Sequence, residues 1–253
     1  MVTTTGVRTA VSVSHVTKSF PHGGQQLIAL KDVSLEVARG EFVCVVGASG
    51  CGKSTLLNIL AGLDRPTAGD VRIEGRVALM FQEAALLPWL TASGNVELAL
   101  ELRGMNRSDR KAAAHELLAR LHLQGFEKRM PHELSGGMKQ RVALARALAQ
   151  DADTLLMDEP FASLDAITRD LLHDELVRLW ENTPLTVVFV THNPREAVRL
   201  GDRVVVFTSR PGRVAHELHI DLPRPRHLDS PGIAVIASRI TDRLKEEMRA
   251  SVI

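Results

Sequence analysis

Residues 47–55, GASGCGKST, decide how this 253-residue chain folds. The run before them, Glu41 to Val46 (EFVCVV), is apolar and β-branched, as a strand buried on both faces must be. The run after them, STLLNILAG, reads as a helix. Strand, glycine-rich turn and helix start in this order predict an α/β fold. The glycines permit a bend tight enough to turn successive N–H groups inward, and the helix start adds partial positive charge at the same point. An anion belongs there. Lys53 would reach the β- and γ-phosphates of a nucleotide as a point charge, and the Ser54 hydroxyl would ligate Mg2+. The alternative is a glycine turn with no ligand, which the Gly-x-x-x-x-Gly-Lys-Ser spacing between strand and helix disfavours.

Thr154 to Met157 (TLLM) reads as an interior strand, and it ends in Asp158-Glu159-Pro160 at the sheet edge where open α/β folds bind ligands. Asp158 would hold Mg2+ through water, and Glu159 would take a proton from an attacking water. Two more strand-like runs lead to polar side chains: Val77 to Phe81 to Gln82, and Thr186 to Val190 to His192. The Gln82 amide can accept from a metal's waters and donate to a γ-phosphate, and His192 can donate to that phosphate. A strand-end histidine alone is more often structural; chain order gives this one its reading.

Ser135 has the character of an N-cap, and Met138, Val142, Ala145 and Leu148 recur at helical spacing behind it. Gly136 and Gly137 leave that helix start open to a second anion. One chain with one cradle has no use for it. Two copies packed head to tail about a twofold axis do, each Ser135-Gly136-Gly137 closing over ATP held by the other copy's Lys53.

With these segments in this order, the chain resembles the nucleotide-binding subunit of an ATP-binding-cassette (ABC) transporter over residues 11–220. The resemblance implies a P-loop NTPase core of α/β class, with an antiparallel β subdomain and an inserted helical subdomain at about 88–150. A leader at 1–10 and a tail at 221–253 flank it. It makes Gly47, Ala48, Ser49, Gly50, Cys51, Gly52, Lys53, Ser54 and Thr55 the Walker A loop and Gln82 the Q-loop, which also serves the metal. Residues 134–138 become the signature, and Asp158 and Glu159 the Walker B end. Asp165, with Ser163 and Leu164, becomes the D-loop, which like Ser135, Gly136 and Gly137 serves the partner's ATP. His192 is the switch histidine. Phe20 stands where the family stacks an aromatic on adenine; the chain has no tyrosine, and a core aromatic is the alternative.

Met138 replaces the glutamine of many signatures, and the stretch between Gly75 and Val77 is shorter than usual, which puts the local hairpin in doubt. LSGGM, QEAALLPWL at 82–90 and MDEPFASLDAITR at 157–169 resemble importers of the nitrate, sulfonate and taurine type. The implied cofactors are ATP and Mg2+. The implied partners are a second copy, a transmembrane permease met through Leu86 to Trp89 and, indirectly, an extracytoplasmic solute-binding protein. The implied place is the cytoplasmic face of the membrane. An exporter subunit, or a soluble ATPase acting on nucleic acid or ribosomes, is the alternative; the long coiled coils of DNA-repair relatives are absent.

Composition agrees. Lys and Arg number 31 against 30 Asp and Glu, so no bulk basic field calls for nucleic acid. Apolar runs fall short of the ~20 residues that span a bilayer, and MVTTTGVRTA lacks a signal peptide's apolar region. The helices expected between the cradle and Asp158 are Ser93 to Arg103, Ser108 to His122 and Gly136 to Gln150. Leu86 to Leu90 reads as core or as an exposed groove. The tail opens with LPRPR and continues as a helix with Ile236, Ile240, Leu244 and Met248 on one face. Cys44 is expected buried in its strand. Cys51, beside Lys53 and a helix start, is expected as a reactive thiolate shielded by ATP, with a sulfur packed against the sheet as the alternative.

Overall fold

The computed structural model describes residues 8–23 and 25–250. Most of the leader read at 1–10 lies outside the described residues. The first sheet has three antiparallel strands, β1 (Thr9–His22), β2 (Gln25–Ala38) and β4 (Ala68–Ile73), in the order β2-β1-β4. The second comprises β3 (Phe42–Val46), β5 (Val77–Met80), β6 (Thr154–Asp158), β7 (Thr186–Thr191), β8 (Arg203–Phe207) and β9 (Val214–His219), in the order β5-β6-β7-β3-β8-β9. All its pairs are parallel except β8 with β9. Every residue of β3, β7 and β8 is buried, which explains their unbroken apolar runs; β9, at the edge, is exposed in part. The four strands expected from sequence appear within a residue or two of their expected ends.

Seven α-helices occur among the described residues: α1 (Lys53–Leu60), α2 (Ala92–Leu102), α3 (Arg107–Arg120), α4 (Gly136–Leu148), α5 (Ala166–Glu181), α6 (Pro194–Leu200) and α7 (Pro231–Ala250). Strand side chains alternate between two cores. Phe42, Cys44, Val46, Met157 and Phe189 face a core shared with α2 to α7, whereas Val43, Val45, Leu156, Val188 and Val190 face one shared with α1 and the antiparallel sheet. Residues 74–76 run directly from β4 in one sheet to β5 in the other, so no hairpin forms there; the Arg76 N–H donates to Asp153 Oδ2 at 2.9 Å.

One expectation needs refinement and one alternative is decided. The stripe that α7 buries is Ile233, Ala237 and Ile240, with Ile236 and Leu244 half-covered and Met248 51% exposed. Apolar residues occupy more than one face of this helix, so spacing alone left its rotational phase open. Between Leu86 and Leu90, Leu86 packs on the core but Trp89 is 70% exposed, which excludes the core reading for the indole. The LPRPR segment is fastened to α6 and its C-cap: the buried Arg226 donates to the carbonyls of Leu222, Val198, Gly201 and Ile220 at 2.6–3.0 Å. Burial pulls this guanidinium down to about 10.

Candidate active site

The carboxyl ends of β3, β6 and β7 lie side by side and bring the cradle, Asp158, Glu159 and His192 together. Gly52 has φ 103°, and a Cβ there would come within 2.8 Å of the Ala29 carbonyl oxygen and of Leu30 Cδ2. Only glycine permits that turn at that approach. The first turn of α1 has no acidic residue and no side-chain cap, so its N–H groups are not engaged by a side chain there. Lys53 is 4% exposed, and its Nζ donates to the Gly47 and Ala48 carbonyls at 2.9 and 3.0 Å. These residues fit a polyphosphate.

Glu159 stands between Lys53 and His192. Its Oε1 lies 3.7 Å from Lys53 Nζ and its Oε2 2.6 Å from His192 Nδ1. Its backbone holds φ 42°, a left-handed conformation costly for a glutamate, and its N–H is pinned to the Val190 carbonyl at 3.0 Å. Burial raises the Asp158 carboxyl above its usual range; the Ser54 hydroxyl bonded to it and the Lys53 charge oppose that rise, and the Glu159 charge adds to it. A hydroxyl beside a carboxylate short of positive charge suits Mg2+, which takes hard oxygen ligands and leaves room for phosphate oxygens. No group of three or more His, Cys, Asp or Glu side chains among the described residues could hold a metal unaided.

Other expected residues lie apart within the single chain. Ser135 caps α4, accepting from the Met138 N–H at 3.3 Å, and Asp165 caps α5, accepting from the Thr168 N–H at 3.0 Å. The Thr168 bond holds the Asp165 carboxyl below its usual range. Gly137 has a packing reason: a Cβ there would meet Thr168 Cγ2 at 2.4 Å, so α4 and α5 could not approach. Phe20 is 37% exposed, with Lys18 Nζ 4.9 Å from its ring centre, and is not a core aromatic. Gln82 is exposed, just past the end of β5.

Cys51 overturns its expectation. It is 1% exposed, and a Cβ on Gly47 would meet its sulfur at 2.7 Å; the thiol belongs to the core beneath the loop. Burial raises it despite Lys53, whose Nζ is 3.9 Å from Sγ. Maleimide should therefore leave both Cys51 and Cys44 unlabelled in the folded protein, with or without Mg-ATP, and label both after denaturation. Mass-spectrometric mapping checks this; rapid native labelling of Cys51 would contradict the packing.

Several supporting residues escaped the sequence reading. Gln140 donates from Nε2 to the Gln82 carbonyl at 2.8 Å, and Asn95 bonds the backbone of Leu87, Leu90 and Thr91. Behind His192, Glu196 pairs with the Thr191 hydroxyl and with His173 Nε2, the latter at 2.7 Å. Their signal was a polar residue inside an otherwise apolar helical stripe.

Residues 30–162 match the family model described as ABC transporter. An uncharacterized ABC transporter ATP-binding protein of Methanocaldococcus jannaschii, MJ0412, is 44% identical over 97% of this chain and 95% of its own length. The chain belongs to the ABC transporter family. It is an ATP-binding, ATP-hydrolysing subunit of that family. The nitrate import ATP-binding protein NrtC of Synechococcus elongatus is 42% identical over 95% of this chain, which spans 39% of NrtC. Among solved structures, the dimeric ATP-binding cassette MJ0796, in a post-hydrolysis state with ADP and Pi, superposes with a TM-score of 0.77. It is 37% identical to this ABC subunit and matches 84% of it and 100% of its own chain.

Proposed function

We propose that two copies of this chain form a pair of composite ATP sites and drive a separate permease that imports a small anion. The observation that carries the chemistry is Glu159, fixed between Lys53 and His192 at the end of β6. Gly47 to Thr55 cradle the phosphates, with Lys53 released from the Gly47 and Ala48 carbonyls to meet them. Glu159 accepts the proton of the attacking water. His192 orients Glu159 and donates to the γ-phosphate, and Phe20 stacks on the adenine. Ser54, Asp158 through water and Gln82 would hold Mg2+, which when bound neutralises charge on the phosphoryl oxygens. The second copy supplies Ser135, Gly136, Gly137 and Asp165. Residues 11–220 make up the ATP-binding domain, with its helical subdomain near 88–150 and residues 221–253 as an attached tail.

The permease meets the exposed Trp89 and a groove of about 600 Å³ lined by Leu87, Leu98, Leu102, Arg103 and Arg146. The anion is of nitrate or sulfonate type, a reading supported by LSGGM, QEAALLPWL and the likeness to NrtC. A solute-binding protein delivers it on the far side. The subunit itself sits on the cytoplasmic face; no helix among the described residues is long and apolar enough to cross a membrane.

Trp89→Asp tests the coupling. In vesicles carrying the chain and its permease, basal ATP hydrolysis and melting temperature should persist, while uptake of labelled nitrate or taurine falls more than about tenfold, as for an anchor residue at an interface. Undiminished uptake would remove Trp89 from the permease contact.

A further inference from the structure

Every side-chain tie on the segment after Gln82 goes to the helices. Gln140 of α4 donates to the Gln82 carbonyl at 2.8 Å, Arg146 of α4 donates to Ala84 and Ala85 at 2.9 and 2.7 Å, and Asn95 of α2 holds Leu87. Gln140 is the unusual member. It is 3% exposed, and its Oε1 is buried with no hydrogen-bond partner among the described residues. An orphan acceptor in a core costs stability, and a leucine of similar size would avoid it. The one bond this amide makes is to the Gln82 carbonyl, and it is the only return on that cost.

That bond joins two different ATP sites, a conclusion that rests on the composite-dimer reading above. The start of α4 presents Ser135 to the partner's nucleotide, and Gln140 lies about 7.5 Å further along the same rigid rod. We propose that Gln140 is a positioning residue through which α4, whose end serves the partner's ATP, sets the Gln82 backbone in its own site. Closure on one nucleotide thereby brings Gln82 into place for the other, and the two sites hydrolyse cooperatively.

The test uses mixed dimers of a Ser135→Arg chain and a Lys53→Ala chain. Their one complete site takes Lys53, Gln82 and Glu159 from the first chain and Ser135 from the second. Gln140→Leu on the first chain should lower kcat about tenfold, the order of effect of one lost buried hydrogen bond, with the affinity of the isolated chain for ATP unchanged. On the second chain it should cost at least about threefold less, because that chain's Gln82 faces the dead site. In the homodimer the same change should bring the Hill coefficient for ATP toward one. Equal losses from either chain, or a larger loss from the second, would show that Gln140 merely supports α4 and would overturn the proposal. An unchanged Hill coefficient would overturn it too. If these mixed dimers are inactive before Gln140 is touched although parent/Lys53→Ala dimers are active, the composite site itself is wrong and the coupling falls with it; if both are inactive, the sites are obligately coupled and the Hill coefficient of the Gln140→Leu homodimer decides. Should Gln140→Leu fail to fold, Gln140→Met, unbranched and equally without a donor, takes its place.

Discussion

Glu159→Gln should bind Mg-ATP normally and hydrolyse it about 10²–10⁴-fold more slowly, the range attached to a lost general base. The substitution keeps the shape of the side chain and a hydrogen-bonding partner for His192, now 2.6 Å from Oε2, so the backbone at φ 42° has no new reason to move. It removes the negative charge 3.7 Å from Lys53, which leaves that ammonium freer to meet phosphate. Binding is therefore retained while proton transfer is lost, and the variant should accumulate as an ATP-bound dimer, visible by gel filtration with Mg-ATP. Turnover within a few-fold of the parent would remove Glu159 as base. Loss of nucleotide binding would instead mark it as part of the metal or phosphate shell.

Ser135→Arg should abolish hydrolysis by at least about a hundredfold, comparable with deleting a donor to a developing oxyanion. ATP binding by the single chain should stay nearly intact, because Ser135 lies at the start of α4 while Lys53, Glu159 and His192 meet at the sheet edge. The lost N-cap bond to Met138 costs about 1 kcal/mol, too little to explain such a fall in rate. Mixing separates the cases. Equal amounts of Ser135→Arg and Lys53→Ala chains, each inactive alone, should recover up to about a quarter of parental activity, since half the dimers then carry one complete site. Full activity of an isolated chain, or no recovery on mixing while dimers of parent with Lys53→Ala stay active, would dismiss the two-chain site.

The spacing of short segments made much of this legible. Gly-x-x-x-x-Gly-Lys-Ser between strand and helix demands a phosphate cradle because few other backbones need those glycines there, and Asp158-Glu159 at a strand end had one plausible neighbourhood in a parallel sheet. Strand ends were readable because β3, β7 and β8 are buried along their whole length. Side-chain direction was not. Whether Cys51 faces phosphate or core depends on Gly47 and Phe207, and Phe207 is far away in the chain. Gln140 meets a carbonyl 58 residues upstream, a pairing that no local period encodes. The phase of α7 depended on what α6 and β8 offered it.

Two of the three links between the sheets are short and set a limit on reach; the third runs from β3 through α1 to β4. Only residues 39–41 join β2 to β3, and only residues 74–76 join β4 to β5. Each link, fully stretched, spans about 10 Å, and both are already committed to hydrogen bonds, Trp180 donating to the Gly40 carbonyl and Arg76 to Asp153. The antiparallel sheet that carries Phe20 is therefore on a short double tether to the sheet that carries Lys53. Phe20, proposed to stack on the base, and the phosphate cradle must travel as one block, like a jaw with no joint of its own. Of the two connections between the helices and the sheet, residues 149–153 are held by Asp153 against Arg76, whereas residues 81–91 are the longer and are tied by side chains to the helices, so a stroke delivered to a membrane partner would be taken up at the sheet end of 81–91.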